Sequence, residues 1–308
     1  MEVYQQIAFR DSFVERGLHS DADFRTFWAM AHGGTAMKAT GSGPPRYGFP
    51  HFLWPALLFG FLAVKTVLSL GLGLGDTLAP YGTNIYFALL LLATGFAMLN
   101  AVQRTQGRRV FWVFIATGYG LWALDQWIYI YYVLLRHSDV PDSSIADPAL
   151  FLHLVPLMAA VAMLPHLDRY DQKAYRASLT FLFLLVAWVF LYAFLLFPYQ
   201  YLFSNPAIYD PRFTTLYGIE NLALVLILCP VIRRAQGPWK SIYYHLLGAS
   251  TLYAVSSTLA NMAIDLGRHY NGSLYSLAQN AAVCWFLWVP LHARQLAPAR
   301  TSVEGLDA

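Results

Sequence analysis

Long apolar runs separated by short polar connections set the rhythm of this chain. Eight of them approach or exceed the ~20 residues that an α-helix needs to cross a hydrocarbon core of ~30 Å. They cover approximately 52–72, 83–103, 110–135, 149–166, 178–198, 213–233, 242–264 and 273–292. The fourth is the shortest and ends at Pro165. Within the third, Gly118, Trp122, Asp125, Tyr129 and Tyr132 share one face at helical spacing, which sets a carboxylate inside an aromatic stripe. The pattern predicts an all-α, polytopic membrane protein with eight transmembrane helices over residues 51–292. A polar segment, 1–50, precedes this membrane domain, and a short tail, 293–308, follows it.

The cations orient the bundle. Five lie ahead of the first run: Arg10, Arg16, Arg25, Lys38 and Arg46. The second, fourth and sixth connections hold Arg104, Arg108 and Arg109; Arg169, Lys173 and Arg176; and Arg233, Arg234 and Lys240. The tail adds Arg294 and Arg300, while the alternate connections hold only Arg136, Arg212 and Arg268. Sixteen against three predicts cytoplasmic N and C termini. Two of the external connections, 136–148 and 199–212, are long enough to fold as caps over the outer mouth.

Composition sharpens this picture. The chain is 57% hydrophobic and 12% charged, against about 25% charged for a soluble domain, so the expected partner is a lipid bilayer rather than nucleic acid. Cys229 and Cys284 both fall in apolar runs and read as packing residues. The first fifty residues read as a loosely ordered cytoplasmic lead without a signal peptide, or as an over-extended start with Met30 or Met37 as the true beginning. A shift of 130 residues lays Gly118 on Gly248 and Ser143 on Ser273, a weak parallel repeat of four helices plus four.

Three ionisable groups stand near helix centres: Lys65, Asp125 and Glu220. Counted at ~1.5 Å per residue, each lies about 20 Å from the cytoplasmic edge. Ser256, Ser257, Gln279, Asn280, His153 and Tyr192 fall near that level, with Asn261 closer to the outside. Buried charge is costly and usually faces a partner or a cavity. One expectation is a charge-neutralising network with Lys65 held by Asp125 or Glu220, acting only as packing glue. The other makes it the floor of an externally open ligand pocket walled by Trp122, Tyr129, Tyr132 and Trp188. The candidate ligand-binding set is then Lys65, Trp122, Asp125, Tyr129, Tyr132, His153, Glu220, Asn261, Gln279 and Asn280. A proton or ion relay is a third use of the same groups.

His245 and His292 lie at a similar depth, which suits either an axial haem pair or two interfacial histidines. The latter is preferred, and no cofactor or metal is expected. GLGLGD at 71–76 ends a membrane run without a βαβ unit and reads as a flexible helix exit. No nucleophile elbow, zinc-protease motif, P-loop or C-x-x-C occurs. The chain therefore reads as a non-enzyme.

The third run and its sequel carry a resemblance. Gly118, Trp122, Ala123, Leu124, Asp125, Trp127, Tyr131 and Tyr132 are followed by Pro141, Ser144, Ala146 and Asp147, and then by Leu164 and Pro165. This stretch of about fifty residues resembles the bacterial multi-pass sensory region found ahead of diguanylate cyclase (GGDEF), EAL and histidine kinase domains. Asp125 follows Leu124 directly, one residue early against that pattern, with Gln126 in the expected place. The resemblance implies a signal-input module in a bacterial inner membrane, working through a cytoplasmic signalling partner or a homo-oligomer, because no output domain follows residue 292. It implies no particular ligand. The runners-up are a small-solute secondary transporter and a structural membrane protein whose polar layer only fixes helix packing.

Overall fold

The computed structural model describes residues 53–296, apart from 74, 105, 139–140, 142–143, 166–170 and 266–272. The expected N-terminal segment, 1–50, and nearly all of the tail lie outside the described residues, as does Ser143. Among the described residues every regular element is helical. Helix α1 (Leu53–Thr66) runs on into a π-helical turn, Val67–Gly71. Helix α2 is Gly75–Gln103, and α3 (Gln106–Ile130) continues as the π-helical turn Tyr131–Arg136. Two short helices, α4 (Ala146–Leu152) and α5 (Leu154–Ala162), share one apolar run. Helix α6 (Asp171–Leu195) leads to a third π-helical turn, Pro198–Leu202. Helices α7 (Pro206–Arg234), α8 (Gly237–Asp265) and α9 (Leu274–Gln295) complete the bundle.

Each apolar run of the sequence forms a helical stretch. Among the described residues five stretches are long and apolar enough to cross a membrane: Leu53–Gly71, Asn84–Gln103, Leu179–Leu202, Pro206–Arg234 and Leu274–Gln295. The stretch α4–α5 is shorter, and α3 and α8 are more polar, for a reason visible in the packing. Every residue from Leu154 to Val161 is buried, whereas α1 buries none of its own over Leu53–Thr66. A helix walled in by other helices can carry Asp125 or a row of serines, while one that faces outward must be apolar throughout.

Two local breaks follow from proline. Pro156 offers no N–H to the carbonyl four residues back, and the run divides at His153 between α4 and α5. Pro290 in α9 likewise frees the Phe286 carbonyl, which instead accepts a hydrogen bond from the Tyr119 hydroxyl of α3 at 3.3 Å.

The packing order falls into matching pairs. Helix α1 lies on α9 as α6 lies on α5, and α2 lies on α9 as α7 lies on α5. Helix α2 packs on α3 as α7 packs on α8, and α3 packs on α4 and α5 as α8 packs on α9. Two glycines permit the closest of these approaches. A Cβ on Gly118 would stand 2.8 Å from both the His153 carbonyl oxygen and Leu157 Cγ, and one on Gly248 would run into the Trp285 ring.

The bundle thus has two distinct ends. One carries Arg104 and the connection at 235–236 and is rich in arginine. There Arg104 donates to the Ala293 carbonyl (2.7 Å) and Asn100 to the Pro290 carbonyl (2.9 Å), which ties α2 to the last turns of α9. Burial, and then the nearby Arg108 and Arg294, hold the Arg104 pKa below its usual value, though an arginine stays charged. The opposite end, here the mouth, holds the three π-helical turns. Gly73, His137 and Ser204 take left-handed conformations just past them and terminate those helices.

Candidate functional site

The interior of the bundle centres on Trp122. Its indole meets the His153 ring at 4.9 Å, Tyr253 at 4.6 Å, Tyr86 at 5.6 Å and Phe286 at 5.6 Å. His153 sits at the junction of α4 and α5, where its Nδ1–H donates to the Leu150 carbonyl. Across from it, the Tyr217 and Tyr253 hydroxyls share a hydrogen bond of 3.0 Å between α7 and α8. The rings of this aromatic column are in mutual contact. It gives the buried half of the α3 stripe an ordinary structural purpose.

Two carboxyl groups border the column. Asp125, 3% exposed, accepts a hydrogen bond from its neighbour Gln126 at 2.8 Å. Glu220, 0% exposed, lies one turn along α7 from Tyr217, and neither of its carboxyl oxygens has a hydrogen-bond partner among the described residues. On α8, Ser250 lies one turn from Tyr253, and its buried hydroxyl also lacks a partner. Because α7 and α8 are antiparallel, both groups are displaced from the Tyr217–Tyr253 contact toward the arginine-rich end. Two unsatisfied polar groups therefore stand at one level of one helix pair. Buried polar atoms are nearly always satisfied; among the described residues single unpartnered buried atoms also occur on Trp112, His292 and Arg294, but only Glu220 leaves a whole carboxyl group without a partner.

The expected charge network is not formed. Lys65 Nζ donates to Asn280 Oδ1 at 2.7 Å, joining α1 to α9, and Asn280 Nδ2 donates to the Ser276 carbonyl. Lys65 therefore pairs with an amide, Asp125 with an amide, and Glu220 with no hydrogen-bond donor among the described residues. Counting residues along a helix gives depth, but depth says nothing of direction around the bundle. Lys65 lies on a peripheral helix, whereas Glu220 is enclosed by α5 and α8. Gln279 and Asn261 are half-buried on α9 and α8. Trp188, expected as a pocket wall, packs instead on Phe151 at 5.7 Å.

Toward the mouth the α3 face opens. Tyr129, 46% exposed, lines a cleft of about 190 Å³ together with Pro141, Asp147, Tyr199, Gln200, Tyr209 and Asp210. Asp147, at the start of α4, organises it. One carboxylate oxygen accepts from the Tyr209 hydroxyl at 2.7 Å and from Gln200 Nε2 at 2.8 Å. Gln200 is buried, and its Oε1 accepts from the Tyr192 hydroxyl. Tyr201 donates to the Ser144 carbonyl at 3.1 Å. The two mouth connections are thus laced to each other, around a cavity, by side chains of α4, α6 and α7.

Tyr132 does not enter this cleft. It lines a second hollow with Trp127, Tyr131, Ser144 and Ile145, and Pro141 borders both. The π-helical turn at 131–136 changes the angular spacing, so a face drawn at 3.6 residues per turn fails beyond Ile130. Sequence reading misses Gln200, Tyr209 and the Tyr217–Tyr253 pair. The Pro-Tyr-Gln-Tyr run at 198–201, polar at the end of an apolar helix, is the available signal.

The histidines at the other end meet one another. The His245 and His292 rings lie 4.6 Å apart, with the His245 ring accepting from Trp285 Nε1 (3.1 Å) and His292 paired with Ser241 (2.8 Å). Comparison with protein-family models, with curated proteins and with solved structures finds no match to this chain.

Proposed function

We propose that this chain is a membrane-embedded signal-input module, crossing a bacterial inner membrane eight times with both termini in the cytoplasm. The mouth then faces the exterior and the arginine-rich end the cytoplasm, as the distribution of cations favours. The matched helix pairings and the equivalent glycines, Gly118 and Gly248, support a parallel repeat of four helices plus four. The resemblance of residues 118–165 to the sensory regions that precede cyclase and kinase domains supplies the role.

The observation that carries the reading is Glu220. A fully buried carboxyl group with no hydrogen-bond partner does not hold helices together, since it makes no bond across them. It costs stability where it stands. Groups retained at such cost inside a bundle are characteristic of functional sites. In this reading an external signal alters the packing of α3 against its neighbours at the mouth. The change passes along the Trp122–Tyr253–Tyr217 column to the cytoplasmic ends of α8 and α9, and a partner protein or a second copy of the chain receives it.

A small-solute carrier would use Glu220 for proton coupling, so uptake must be tested beside topology. The experiment uses the full chain with Cys229 and Cys284 replaced by alanine and single cysteines at Ile145 or Lys240, both exposed. An impermeant maleimide should reach position 145 only from outside intact cells and position 240 only after inversion of the membrane. Labelling of both from one side would overturn the topology. Accumulation of solute by proteoliposomes under a proton gradient would replace the sensor with the carrier.

A further inference from the structure

We propose that Arg104, Arg108 and Arg294 form a binding site for the phosphate of an anionic phospholipid at the arginine-rich end. The site requires that α2 and α9 cross a bilayer. It needs neither the sensory role nor a particular orientation.

The three side chains come from different elements. Arg104 directly follows α2, Arg108 lies in the first turn of α3, and Arg294 in the last turn of α9. Arg104 is anchored by its donation to the Ala293 carbonyl at 2.7 Å, beside Arg294 in the chain. After burial, the charges of Arg108 and Arg294 are what lower the Arg104 pKa, so both cations press on it at close quarters. Guanidinium groups gathered in this way match phosphate oxygens with paired N–H donors.

Arg294 supplies a second, independent observation. Its Nη1 is buried and has no hydrogen-bond partner among the described residues. A buried donor left without an acceptor is costly, and more so on a charged group. A phosphate oxygen at this position would remove that cost and offset the repulsion between the arginines.

The surroundings identify what carries the phosphate. Arg104 and Arg294 stand at the ends of two apolar stretches, Asn84–Gln103 and Leu274–Gln295, where hydrocarbon gives way to headgroups. In the two turns of α2 before Arg104, Met98, Leu99 and Val102 are exposed, Val102 to 69%. Acyl chains lie along such a flank while the headgroup reaches the arginines. A free phosphate gains nothing from it.

The full chain in neutral detergent is titrated calorimetrically with dioctanoyl phosphatidylglycerol, dioctanoyl phosphatidylcholine and glycerol 3-phosphate. The first should bind saturably, and the other two at least about tenfold more weakly. Arg108→Gln and Arg294→Gln should each weaken phosphatidylglycerol about three- to tenfold, the effect of one cation beside a headgroup. Arg136→Gln, at the mouth, should leave binding unchanged. Arg108 is exposed, and the buried Arg294 Nη1 makes no bond, so unaltered thermal unfolding of both variants should accompany the loss. Equal binding of the two lipids overturns the proposal, as does the absence of saturable binding. Glycerol 3-phosphate binding as tightly as phosphatidylglycerol overturns the lipid as occupant. Equal weakening by all three variants, or by none, removes the site itself. None of these results touches the sensory reading, which fails instead through topology or solute uptake.

Discussion

Glu220 tests most cleanly what single residues contribute. Replacing an uncompensated buried carboxyl with a well-packed apolar side chain removes a desolvation penalty and adds contacts, an exchange often worth about 1–4 kcal/mol. Glu220→Leu should therefore raise the thermal unfolding temperature of the full chain while abolishing its response to ligand. A lower unfolding temperature would mean that Glu220 holds the bundle together after all. Lys65→Met should cost only about 1 kcal/mol, the net worth of one hydrogen bond, because its partner Asn280 keeps its bond to Ser276. Depth is legible in the sequence for Lys65, Asp125 and Glu220, since rise per residue is fixed. Partnership is not, because it depends on which helix lies beside which.

At the scale of elements the glycines and the mouth lacing make distinct predictions. Gly118→Ala and Gly248→Ala should each destabilise by about 1–3 kcal/mol, the usual cost of overpacking, since each meets a neighbouring helix with no room for a methyl group. Gly95→Ala should instead be neutral or stabilising by up to about 1 kcal/mol, because nothing lies within 4 Å of the added carbon. Chemical denaturation of the three variants side by side would check the contrast. Asp147→Ala leaves two donors, on Gln200 and Tyr209, without their acceptor at the mouth. Hydrogen exchange should rise at 144–150 and 198–209 while α8 and α9 stay protected; a uniform rise would assign Asp147 a global role. Helix positions are legible throughout because hydropathy reports them directly. The π-helical turns are not, since no residue type demands them, and they redirect Tyr132 away from the face it was expected to share with Tyr129.

For the molecule as a whole, the matched helix pairs supply a mechanical frame. In the proposed arrangement of four helices plus four, the two groups meet along the column from Trp122 to Tyr217, with the mouth cleft at one extremity and the arginine-rich connections at the other. The cation count alone distinguishes the two ends, and the paired glycines at 118 and 248 hint at the repeat. What sequence could not supply is the displacement of the candidate pocket. Aromatic rings of Trp122, Tyr253 and Tyr217 meet beside Asp125 and Glu220, and the cleft lined by Tyr129 lies nearer the surface, beyond Asp125. A signal bound there must travel through packed protein to reach the other end. The most direct test places spin labels at Arg109 and Lys240, both exposed at the arginine-rich end, in the chain lacking Cys229 and Cys284, and follows their separation by pulsed dipolar spectroscopy in nanodiscs. Asp147→Ala at the mouth should shift the distance distribution in this background and leave it fixed when Glu220→Gln is added. An unchanged distribution despite raised hydrogen exchange at 144–150 would refute transmission from the mouth to the arginine-rich helix ends.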